Sequence, residues 1–97
     1  MDWTIRPQRV QGLEVSPVTD GFVVSRQGHD RIHFLNPTAA LILESCDGRL
    51  QAGELPDLVA AAFDLDQPPQ ADVEACLASL LDEGLVVAGL THVTQTK

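Results

Sequence analysis

Apolar and polar residues alternate through the first third of the chain and then give way to helical stripes. Leu13 and Val15, with Val10 as a further candidate, alternate with polar neighbours and predict a short first strand ending at Pro17. Asp20-Gly21 marks a turn. Residues 22–26 (FVVSR) predict a second strand, residues 27–30 a short loop with Gly28, and residues 31–35 (RIHFL) a third strand. Three short strands with tight connections predict an antiparallel meander. Period two puts Phe22 and Val24 on one face of their strand. It puts Ile32 and Phe34 on one face of the next strand and His33 on the other, as a half-exposed sheet residue. Residues 1–12 show no period and carry Pro7 and Gly12, so a loose entry segment is expected there.

Asn36-Pro37 is the sharpest local signal. A residue before proline is held in the extended region, which an N-cap requires, and proline at the first helical position gives up no hydrogen bond. The helix predicted from there to Ser45 or Cys46 carries Ala39, Ile42, Leu43 and Cys46 at i, i+3, i+4 and i+7. Ala40 and Leu41 widen its apolar face, so this helix is expected at the centre of the fold, with Gly48 as its C′ residue. A second helix is predicted from about Gly53, with Pro56 in its first turn and a buried stripe of Leu55, Leu58, Val59, Ala62 and Phe63. A third, from about Pro69 to Glu83, has the stripe Val73, Cys76, Leu77, Leu80 and Leu81 and stops at Gly84. Leu85-Val86-Val87 predicts a short closing strand at the sheet edge. Residues 91–97 are expected to fray. Strands first and helices after define an α+β domain, with helices two and three placed as in a winged helix-turn-helix.

At 97 residues the chain is long enough for one core only, so residues 1–97 are expected to form a single domain with its core at about residues 13–87. Hydrophobic residues at 44% and charged residues at 21% are a globular composition. The formal net charge is −8, and the basic residues Arg6, Arg9, Arg26, Arg31, Arg49 and Lys97 are scattered and outnumbered. Nucleic acid and anionic membrane surfaces demand clustered positive charge, so both are disfavoured as partners, whereas a basic or neutral peptide is compatible. Runs such as AALIL and LVVAGL fall far short of the roughly 20 apolar residues of a membrane span. The first residues lack the apolar run of a signal peptide, which makes the cytoplasm the expected compartment.

Candidate chemistry is sparse. Neither a nucleophile elbow nor a glycine-rich phosphate loop is present, and the 14 carboxylates fall on solvated faces, so no catalytic residue is assigned. Cys46, Cys76, His29, His33 and His92 show no metal-ligand spacing, and the two cysteines lie on helix stripes as small buried hydrophobes. No cofactor or metal is expected. A DNA-reading third helix would present Asp72, Glu74, Asp82 and Glu83 to phosphate, which is repulsive.

What remains is a strand edge with unpaired main-chain groups, able to take an extended peptide by β-augmentation. Residues alone leave this open against an edge covered by the closing strand or by a second copy of the domain.

The ordered set DGFV (residues 20–23), IHFLNPTAA (residues 32–40), Asp47-Gly48 and DVEACLASLLDEGLV (residues 72–86) resembles the PqqD family of coenzyme PQQ biosynthesis and the related precursor-peptide recognition elements. The likeness spans about residues 13–87. Leu43 departs from it, standing where many relatives carry Trp. The resemblance implies a winged-helix-like domain that binds the leader of a ribosomally made precursor peptide as a strand beside the third strand, in a groove bordered by the third helix. It implies presentation of that peptide to a modifying enzyme, often a radical SAM protein. Carried over, Arg31, Ile32, His33, Phe34 and Leu35 supply the pairing edge, and Asp72, Cys76, Ser79, Leu80 and Glu83 the helix wall. The expected function is therefore a non-catalytic peptide chaperone, as a monomer or weak homodimer. The competing readings are a winged-helix DNA-binding regulator and a homodimerising structural module.

Overall fold

The computed structural model describes residues 1–88. Strands β1 (Gln8–Arg9), β2 (Leu13–Val18), β3 (Gly21–Arg26) and β4 (Ile32–Leu35) are followed by helices α1 (Pro37–Ser45), α2 (Leu55–Phe63) and α3 (Gln70–Asp82), and β5 (Val86–Val87) is the last described element. The α+β order is the one expected from the pattern, with an antiparallel sheet in the order β2-β3-β4. Its register pairs Val15 with Val24 and Val24 with His33. One face of the sheet therefore carries Val15, Val24, His33 and Leu35, and the other Val23, Ile32 and Phe34. Val24 and Leu35 are buried against the helices. Period two identifies which side chains travel together but not which set turns inward. Here the inward set is His33 with Leu35, and Ile32 and Phe34 point out.

Asn36 caps α1 as its dihedrals and position predict. Its Oδ1 accepts a hydrogen bond from the Ala39 N–H at 2.8 Å, with Pro37 at the first helical position. Ile42, Leu43 and Cys46 are buried, and α1 packs against α2, α3, β3 and β4, which makes it the central helix. Gly48 is not its C′ residue. The helix ends at Ser45, Cys46 is the C-cap, and Gly48 (φ +84°) shapes the following turn, where its N–H donates to the Pro7 carbonyl. Asp47 braces that turn by accepting from the Arg49 and Leu50 N–H groups, which hold its carboxyl below the ordinary range.

A 3-10 turn (Ala52–Glu54) leads into α2 with Pro56 in its first turn. Leu55 and Val59 are buried and Leu58 is half-buried, but Ala62 and Phe63 are exposed, because the last turn of α2 runs past the edge of the core. Asp64 (φ +56°) ends it in the left-handed conformation. The end of α3 is a Schellman motif: Leu85 N–H donates to the Leu80 carbonyl and Gly84 N–H, at φ +77°, to that of Leu81. Buried Leu85 supplies the apolar contact that accompanies the motif.

Two further expectations are corrected. The entry segment is not loose: β1 pairs antiparallel with β5, Gln8 also bridges to Asp47, and Pro7 is fully buried. Main-chain bonds extend this contact, since Ala52 N–H donates to the Ile5 carbonyl and Gly53 N–H to that of Trp3. The closing strand accordingly joins β1 and not the edge of the three-stranded sheet. Residues 91–97 lie outside the described residues.

Candidate functional site

A three-stranded sheet has two edges, and here they differ. β2 carries Pro17, which has no N–H to offer, so that edge is blunted. β4 has no proline, and among the described residues nothing pairs its outer edge. Two apolar side chains, Ile32 at 68% and Phe34 at 59% exposure, stand on its outward face. Unpaired main-chain groups beside exposed apolar side chains are the features that strand addition uses.

Helix α3 lies alongside this edge. Leu35, Asn36 and Ala39 face Ala75, Cys76, Ser79 and Leu80 across a groove of about 390 Å³, with Phe34 at its lip. A second recess, of about 380 Å³, continues from Asn36, Ala39 and Cys76 past Thr38 to Asp72. At the opposite end Glu83 Oε1 holds Arg31 Nη2 at 2.9 Å and lies 3.8 Å from His33 Nδ1. Helix and strand thus run antiparallel: the start of α3 lies near the end of β4, and its C-cap near the beginning.

The expected residues sort accordingly. Phe34, Leu35, Cys76, Ser79 and Leu80 meet in one groove, Asp72 lines its continuation, and Arg31, His33 and Glu83 close the far end. Arg31 sits one residue before β4 and not within it. Ile32 lines neither recess and belongs to the outward face. Asn36, Thr38, Ala39 and Ala75 line the recesses without having been singled out. Ala75 was within reach of helical spacing, one turn before Ser79. Asn36 is accounted for by its capping role and Ala39 by the apolar stripe of α1, and nothing local in the sequence gives either a second task.

The groove wall from Ala75 to Leu80 is neutral. Burial pushes the Cys76 thiol up, and Cys46, beneath the surface with its Sγ donating to the Ile42 carbonyl at 3.1 Å, is pushed up to about 12, chiefly by burial. Both thiols are therefore held in the unreactive protonated form at neutral pH. Among the described residues no group of three His, Cys, Asp or Glu is placed to hold a metal ion, and no helix is long and apolar enough to cross a membrane.

Among curated proteins and among solved structures no match was found. The family model described as coenzyme PQQ synthesis protein D (PqqD) matches residues 21–86, from the start of β3 through α1, α2 and α3 into β5, and so includes both walls of the groove. The chain belongs to the PqqD family.

Proposed function

We propose that this domain is a non-catalytic peptide chaperone. It takes the leader of a ribosomally synthesised precursor peptide as an added strand on β4 and presents it to a modifying enzyme of the radical SAM type. The observation that carries this reading is the contrast between the two sheet edges, with the unblunted one lying against a neutral groove on α3. Main-chain pairing to β4 supplies affinity, and the groove between Leu35 and Leu80 receives the guest's inward side chains. Family membership supports the assignment to peptide binding in coenzyme PQQ synthesis or a related peptide pathway.

The test is titration of the isotopically labelled domain with candidate leader peptides encoded near its gene, followed by amide NMR. Shifts concentrated on residues 31–36 and on α3 are expected. No binding at high micromolar peptide, or shifts confined to β2, overturns the proposal. Sedimentation of the free domain separates it from the homodimer reading, in which a second copy occupies the β4 edge before any peptide arrives.

A further inference from the structure

The walls of the groove constrain what a guest strand looks like. Asp72 in the first turn of α3 and Glu83 at its C-cap are 11 positions apart, which at 1.5 Å per residue places them about 16 Å from each other. An extended strand covers that distance in about five residues, at roughly 3.3 Å each. β4 itself is four residues long. Between the two carboxylates the helix wall carries no charge: Ala75, Cys76, Ser79 and Leu80.

The outward face adds a second constraint. A strand laid on β4 alternates its side chains between the groove and the side where Ile32 and Phe34 stand exposed. Both sides are apolar, so the guest's centre is a continuous apolar run and not an alternating one. At one end stands Asp72, and at the other Glu83 beside Arg31 and His33. The cation nearest the groove, Arg31, is already engaged by Glu83, whose second oxygen has no ion-pair partner among the described residues. The Arg31 side chain is itself largely exposed and free to yield. The whole chain carries −8.

We infer that the guest is a run of about four apolar residues bracketed by basic side chains, one meeting Asp72 and the other Glu83. This rests on strand addition at β4. The long stems of lysine and arginine reach these carboxylates from either face of the strand, so the bracket does not demand strict parity. An acidic residue at the Asp72 end meets like charge and is selected against.

Three labelled peptides of one length test this by fluorescence anisotropy. They share one apolar tetrad, flanked on both sides by Lys, by Gln or by Glu. The Lys probe is expected to bind roughly tenfold tighter than the Gln probe, the combined size of two screened ion pairs, and the Glu probe weakest. Raising salt should shrink the Lys advantage. In Asp72→Asn/Glu83→Gln the advantage should fall to within about twofold. Because Glu83 also fastens Arg31, Asp72→Asn alone is measured beside it and should remove about half of the preference on a logarithmic scale. Equal affinities for all three probes overturn the charge bracket and leave strand addition standing. No binding by any of them overturns strand addition, and the bracket with it.

Discussion

Gly21 is the position at which a single methyl group should do most damage. Its φ is not among the positive ones, and it follows a two-residue connection, Thr19-Asp20, so a turn-based account of the Asp-Gly pair predicts tolerance of alanine. The structure gives another reason for the glycine. A Cβ there would press into the Leu35 carbonyl oxygen, lie 3.2 Å from the carbonyl carbon, and sit 3.0 Å from Cζ of Phe34, whose ring lies over the glycine. The ring could swing away, but the carbonyl is backbone and moves only if β3 and β4 separate. Overpacking costs about 1–3 kcal/mol, and a ladder hydrogen bond lost with it about 1 kcal/mol more. Gly21→Ala should therefore cost about 3 kcal/mol, a fall in Tm of roughly 15 °C for a domain this small. Gly28→Ala is the control: it has φ +84° with nothing within 4 Å of the new Cβ, so it costs only the left-handed strain, about 1 kcal/mol. Denaturant unfolding with unchanged m-values measures both. A loss below about 1 kcal/mol for Gly21→Ala, or a larger loss for Gly28→Ala, refutes close approach as the reason for the glycine.

Asn36→Ala removes the acceptor of the Ala39 N–H and should cost about 1 kcal/mol, while Asn36→Ser, which keeps a cap, should stay within a few tenths of wild type in the same unfolding assay. Cys46, buried and with its thiol pushed up to about 12, should resist a thiol-reactive dye at pH 8 until the domain unfolds, so its labelling rate should track unfolding as denaturant is raised.

Features written in neighbouring residues were legible in the sequence, and features that depend on distant partners were not. The cap at Asn36 and the stripes of α1 and α3 need only residues within a few positions of each other, and they stand where the pattern puts them. β1 is the opposite case. Gln8 and Arg9 have no periodic neighbours, and their partners are Val86, Val87 and Asp47, so a segment that looks structureless is fixed by pairing with residues distant in the chain. The site divides the same way. The family resemblance, not spacing, points to Cys76, Ser79 and Leu80 as a helix wall, and their meeting with Leu35 depends on how helix and sheet pack. Hydropathy says nothing of the outward turn of Ile32 and Phe34, because two apolar side chains at alternate positions suit a core equally well. The Arg31–Glu83 pair, which joins residues 52 positions apart, had no local signature.

The proline in β2 has a consequence for the behaviour of the protein at high concentration. Open-ended aggregation through sheets requires head-to-tail joining, with each copy offering two usable edges. Pro17 withdraws a donor from one of them, so stacking β2 on β4 weakens at every joint. For the three-stranded sheet, self-association through the exposed edge favours the two-fold arrangement, β4 against β4, which uses up both β4 edges and stops at two molecules. The three-stranded sheet can thus keep one strand edge open while its other edge disfavours growth into fibres.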